Sequence, residues 1–250
     1  MKEWRTCRCD DKPENWLGNA PGVDLGSTGL LALVETCLPH RRSPSEDAKR
    51  LFDHVSRLPF FLADPAVTTV PSELHRQMGG AAYFKSTLWL HMLRVRGIPA
   101  RMRWVEVEAS KMTPGLWDFL RMAGMRFFHP MVEVWLDQCW ATVDAYIMDP
   151  PLFARVRKEL KRQGIPNGFF VHHLGVCDWS GRGDALQRFS PLDPDSLPLN
   201  DLGCYHSHED FVARSGMSFE RTELVNSAYK ETNEGINVEL SRLRLLPLVD

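Results

Sequence analysis

The chain has no apolar run approaching the roughly 18–20 residues that a membrane-spanning helix needs. Its opening residues, Met1-Lys2-Glu3-Trp4-Arg5-Thr6, lack the apolar core of a signal peptide. A soluble cytoplasmic protein with no membrane partner is the expectation. An excess of either charge is also lacking: the formal net charge is −2, which gives no electrostatic reason to expect nucleic acid as a partner. Cysteine is sparse and unpaired in sequence. Six residues, at 7, 9, 37, 139, 177 and 204, form no CxxC knuckle. Reduced thiols are expected, and neither metal nor cofactor is called for. His172, His173, Cys177, Cys204, His206 and His208 have metal-ligating chemistry but no zinc spacing. There is no internal repeat and no low-complexity tract.

What is present is an ordinary globular composition, 44% hydrophobic and 25% charged over 250 residues, enough for a full core. The punctuation reads as follows. Residues 1–45 form an irregular arm rich in Gly, Pro and Asp. Ser43-Pro44-Ser45-Glu46 is a capping box with proline at the first helical position. The helix it opens carries Ala48, Leu51, Phe52, Val55 and Leu58 on one face and ends at Pro59. A second helix runs from Ala82 to Arg96 and is stopped by Gly97 and Pro99. Strands are expected over Arg101–Glu108, Met131–Asp137 and Trp140–Asp144, the last two as a hairpin. Asp149-Pro150-Pro151 caps a basic helix ending at Gln163, and Gly168–Leu174 reads as a further strand. The stretch 175–205 reads as turns. Helix Ser218–Lys230 and a second short helix after Gly235 close the chain. One domain is expected, with residues 46–150 as core and 151–250 as a C-terminal elaboration.

Three features carry chemistry. The small-residue turn Gly79-Gly80-Ala81-Ala82 feeds directly into a helix, whose N-terminus offers free N–H groups and partial positive charge. His129 lies at the start of a strand, and Asp144 ends the neighbouring strand, where a carboxylate can orient an imidazole.

Taken together, Gly80-Ala81-Ala82, Gly97-Ile98-Pro99-Ala100-Arg101, His129-Pro130-Met131-Val132-Glu133-Val134 and Trp140-Ala141-Thr142-Val143-Asp144 resemble the transglutaminase-like superfamily. That family carries a papain-like Cys-His-Asp core. The resemblance covers about residues 46–150. It implies an α+β fold in which the helix bearing the nucleophile packs on an antiparallel sheet, with helical additions at the C-terminus. It also implies cysteine-dependent acyl transfer or hydrolysis on an amide or thioester, by a biosynthetic acyltransferase, peptidase or amidase. The nucleophile position holds Ala82, so the chain as written is inactive in that chemistry. It is either a Cys-to-Ala variant of an enzyme or a natural pseudoenzyme that binds or scaffolds. Non-covalent catalysis with His129 as base is a third option. Gln77 could supply an oxyanion donor. Gly80, Trp117 and Met125 are candidate substrate contacts, the last two within a long apolar stretch (residues 110–128) that could line an acyl pocket. Partners implied are a small-molecule, peptide or carrier-protein-bound acyl substrate. Arg101 reads as a structural ion-pair partner. The basic face of helix 152–163 could dock an acidic carrier.

Overall fold

The computed structural model describes residues 4–5, 9–62, 79–108, 126–216 and 223–247. Gln77, Trp117 and Met125 therefore lie outside the described residues, as does most of the apolar stretch 110–128. Among the described residues there are six α-helices and a four-stranded antiparallel sheet. We number the helices α1 (Thr28–Cys37), α2 (Pro44–Arg57), α3 (Ala82–Val95), α4 (Pro150–Gln163), α5 (His208–Ser215) and α6 (Glu223–Leu245). The strands are β1 (Ala100–Glu108), β2 (Arg126–Leu136), β3 (Cys139–Val143), β4 (Asn167–Gly168), β5 (Val171–His172) and β6 (Asn200–Tyr205). The large sheet has the order β3-β2-β1-β6, and β4 and β5 form a separate small pair.

Local chemistry explains the helix ends. The Ser43 hydroxyl accepts from the Glu46 amide while the Glu46 carboxylate accepts from the Ser43 amide, so two orphan donors of α2 are satisfied at once. Asp149 caps α4, and Gly164 closes it in the left-handed conformation. Asp137 and Gln138 turn the β2–β3 hairpin at positive φ, the geometry that a tight two-residue connection requires.

One sheet face packs on α3. Ala100, Met102, Trp104, Val132 and Val134 join Leu88, Trp89 and Met92 in the main core. Beside them Phe52, Trp89, Tyr146 and Trp179 make an aromatic cluster, with Phe52–Trp89 centroids 5.8 Å apart and Trp89–Tyr146 4.9 Å. Other strand positions hold a second apolar cluster with Val105, Val107 and Met131 and a buried charge network. Arg101 reaches Glu133 at 2.5 Å, as the ion-pair reading of Arg101 anticipated, and Arg103 reaches Asp201 at 3.1 Å. The N-terminal arm covers these groups: Arg101 donates to the Asp10 carbonyl, and Arg5 donates to Thr142.

Several expectations are corrected. Residues 28–37 form a helix because Leu30 and Val34, one turn apart, turn inward onto α2 and α3. Residues 200–205 add an edge strand to β1, with a bulge at Trp104/Val105. Only residues 167–168 and 171–172 pair where a longer strand was expected. Strand β2 begins at Arg126, so His129 stands inside it rather than at its start. The C-terminal helix runs through Gly235, since Ile236, Leu240 and Leu243 are all buried in the core, which outweighs the cost of about 1 kcal/mol for a helical glycine.

The cysteines need the plainest correction. Cys9 and Cys204 form a disulfide, with Cα atoms 5.6 Å apart and 195 residues between them in sequence. The arm folds back over β6, a proximity that linear spacing does not reveal. Disulfides persist in oxidising environments, so reduced thiols no longer support a cytoplasmic location. Among the described residues, no helix is long and apolar enough to cross a membrane. Because the bond closes most of the chain into a loop, Cys204→Ser is expected to cost about 2–4 kcal/mol. Thermal melting with and without reductant checks this: reductant should lower the midpoint of the parent and leave that of the variant unchanged.

Candidate active site

The chain reaches α3 through a passage that admits no side chain. A Cβ on Gly79 would lie 2.5 Å from the Pro59 carbonyl oxygen, a backbone atom that cannot swing aside. Gly80 has φ +155°, and its amide donates to the same carbonyl at 2.9 Å. That amide is thus committed to Pro59. Gly79→Ala must push α2 and α3 apart, and a loss of about 1–3 kcal/mol is expected from the overpacking, measurable by chemical denaturation.

Helix α3 then starts at Ala82 with Ala81 as N-cap, and no side chain caps it. The first N–H groups of a helix have no partner within it, and among the described residues no side chain caps these. Ala81 and Ala82 line a cavity of about 110 Å³ whose other walls include Phe60, Phe128, His129, Ile147 and Arg188.

His129 is buried and bonded through Nε2 to Asp144 Oδ2 at 3.0 Å. Asp144 is fully buried, and its other oxygen accepts from the Gln187 amide. A carboxylate that accepts from Nε2 holds the imidazole with its lone pair on Nδ1, and Nδ1 has no hydrogen-bond partner among the described residues. Burial, aided by the Arg188 guanidinium, pushes the His129 pKa below its ordinary value, while Asp144 pulls the other way. The neutral, basic form is therefore favoured at neutral pH. Burial likewise lowers the Arg188 pKa, to about 10, against the pull of Asp144.

The walls are held from several sides. Gln187 fastens the loop after β3: its side chain accepts from the Met148 amide at 2.8 Å and donates to the Met148 carbonyl at 3.1 Å. Asp149 accepts from the Phe60 amide at 2.9 Å, and Arg244 of α6 donates to both Asp149 and the Phe60 carbonyl, each at 2.7 Å. Asn237 pairs twice with Leu62. The C-terminal helix thus fixes residues 60–62, a wall of the cavity.

The structure brings together Ala82, His129 and Asp144, which lie far apart in sequence. Gln187 and Arg188 were missed by sequence reasoning. They lie in a turn-rich stretch, and no spacing rule marks either. Of the histidines and cysteines weighed as metal ligands, His172 is bonded to Asp193 at 2.9 Å, His206 stacks on Trp16, and Cys204 is in the disulfide. On the basic helix α4, Arg155 donates to the Leu246 carbonyl and Arg162 pairs with Glu159.

No protein-family model matches the chain, and no curated protein does. Among solved structures, the chain is similar to "a Putative Cysteine Protease from Cytophaga hutchinsonii", with a TM-score of 0.42 and 17% identity. The similarity covers 60% of this chain and 48% of that one, about half its length.

Proposed function

We propose that this chain has the site of a cysteine-dependent acyl-transfer or amide/thioester-hydrolysing enzyme of the transglutaminase-like type, with Ala82 standing where the nucleophile would be. The observation that carries the reading is that Ala82, at an uncapped helix start, shares one cavity with His129, which is bonded to a buried Asp144. A thiol at position 82 would give its proton to His129 Nδ1 and attack the acyl carbonyl. The first N–H groups of α3 would receive the oxyanion. Protonation of the leaving amine or thiol by His129 would release it, and water or a second nucleophile would take the acyl group. The apolar walls suit a small-molecule, peptide or carrier-bound acyl group.

One observation favours a second reading, a binding or scaffold module: residue 82 is alanine. The two readings separate on whether the site still works when a sulfur is supplied. Ala82→Cys, challenged with activated thioesters and followed by intact mass, should form an adduct whose formation His129→Ala strongly slows. No adduct with any acyl donor would support the binding module.

A further inference from the structure

The Cys9–Cys204 bond stands in the wall of a cavity of about 310 Å³ whose lining also includes Asp10, Asn15, His206 and Arg214. A small polar solute can therefore reach it. Its two sulfurs are not equivalent. Cys9 is half-buried, whereas Cys204 is buried in β6. Arg103 Nη1 lies 3.4 Å from Cys9 Sγ and 3.5 Å from Cys204 Sγ, and Glu133 Oε2 lies 3.4 Å from Cys204 Sγ. A thiolate that attacks Cys9 thus expels Cys204 beside a guanidinium, which stabilises the leaving anion. Once protonated, the Cys204 thiol finds a carboxylate acceptor already in place.

The bond also divides the arm. After it, the chain is anchored through Asp10, whose carbonyl accepts from Arg101 and from the Trp16 ring N–H. Before it, Trp4 packs half-buried on the Val105 cluster, and Arg5 bridges two elements. Arg5 donates to Thr142 Oγ1 at 2.7 Å and to Asp184 Oδ2 at 2.5 Å. Asp184 also accepts from the Thr142 amide at 2.8 Å. Next in the chain, the Ala185 carbonyl accepts from the Asp144 amide at 3.0 Å, and the Gln187 amide donates to Asp144 Oδ1. Arg5 therefore straps β3 to the segment that holds Asp144. A part-exposed ion pair such as Arg5–Asp184 contributes little by itself, and ordering a chain end costs conformational freedom. The disulfide removes much of that freedom, because it tethers the chain within about 14 Å of Arg5.

We propose that Cys9–Cys204 is a redox latch: a dithiol entering the adjacent cavity opens it, the Arg5 strap lets go, and segment 184–187 loosens its hold on Asp144. A thiolate of the dithiol bonds to Cys9 Sγ. The Cys9–Cys204 bond breaks, and Cys204 leaves with the electron pair and takes up a proton. The second thiol of the dithiol then closes onto the first, which leaves Cys9 as a thiol and the reductant as a cyclic disulfide. In sum, two electrons and two protons pass from the dithiol to the two cysteines. As a control on Asp144 the latch rests on the acyl-transfer reading, but its test uses no acyl chemistry, so the two fail separately.

The probe is dithiothreitol, added to the full chain under native conditions, with hydrogen exchange followed by mass spectrometry. Alkylation of Cys9 and Cys204 reports whether the bond is open. Reduction should speed exchange in segments 142–147 and 184–188 at least about tenfold more than it speeds exchange in α2. Arg5→Ala, with the bond intact, should speed exchange in the same two segments without dithiothreitol and leave α2 unchanged. Cys9→Ser/Cys204→Ser should exchange fast there with or without dithiothreitol. If that variant does not fold, Arg5→Ala, which alters only a part-exposed side chain, still decides. Three results would overturn the proposal: a bond that dithiothreitol opens only in denaturant, an acceleration in the two segments no greater than in α2, or an Arg5→Ala chain that exchanges like the oxidised parent.

Discussion

Ala82→Cys should make the chain take up one acyl group per molecule from a reactive thioester beyond any that the parent takes up on its free thiols, of which Cys139 is exposed. The expectation rests on where the sulfur would go. Residue 82 is the first residue of α3, in the positive end field of a helix whose donors no side chain occupies. That field lowers a thiol pKa and favours the thiolate. His129 lies across the same cavity with Nδ1 unbonded, and its depressed pKa keeps it ready to accept the thiol proton. In the Ala82→Cys background, His129→Ala should slow acylation by a factor on the order of 10²–10⁴, the usual scale of a general base. Asp144→Asn should slow it as well, because an amide does not fix the imidazole tautomer as a carboxylate does. The pH profile carries a sign. With the His129 pKa below its ordinary value, the acylation rate should rise through the acid range with its midpoint below about pH 6.5. Intact mass against time at several pH values measures all of this. Equal rates with and without His129 would show that a lone exposed thiol is reacting.

Much of this site was legible in the sequence, for local reasons. Helix α3 announces itself by what surrounds it, a glycine pair before and Gly97 and Pro99 after. The β2–β3 hairpin shows by alternation, and the capping box of α2 by four residues alone. These signals depend on neighbours in the chain. What stayed hidden depends on distant contacts. Gln187 reaches Asp144 across 43 residues. Cys9 meets Cys204 only because the arm folds over β6. Strand β6 carries Gly203 and two polar residues at its start, so it has little strand propensity of its own and is a strand because β1 offers it an edge. Gly235 reads as a break, yet the helix continues because its apolar face is buried.

Lys85 gives the other large expected effect. Its side chain is fully buried one turn into α3, and the ammonium donates to the carbonyls of Tyr146 and Ile147 at 2.9 Å each, with the Ser56 carbonyl at 3.4 Å. One charge therefore ties together α2, α3 and the loop after Asp144, including Ile147 of the cavity wall. Burial lowers the Lys85 pKa to about 7, with Asp149 opposing the shift and Arg244 adding to it. A pKa depressed in the folded state means that the unfolded chain holds the proton more tightly between about pH 7 and the ordinary lysine value. Stability linked to Lys85 is therefore lost as pH falls through about 7 and grows as pH rises above it. Between pH 7 and 9.5 the parent should gain up to about 3 kcal/mol. Lys85→Met, one atom shorter, removes the titrating nitrogen and its donors. At pH 8, where a pKa of about 7 leaves Lys85 mostly as the neutral amine, it should cost about 1–3 kcal/mol for the carbonyls left without a partner, and it should flatten the rise between pH 7 and 9.5. Denaturant titrations of the parent and the variant across that range read both quantities. A side chain that only filled space would lower stability equally at every pH and leave the slope in place. Combined with Ala82→Cys, the same substitution should also slow acylation, because the loop that presents Asp144 to His129 then loses its bonds from Lys85 to Tyr146 and Ile147.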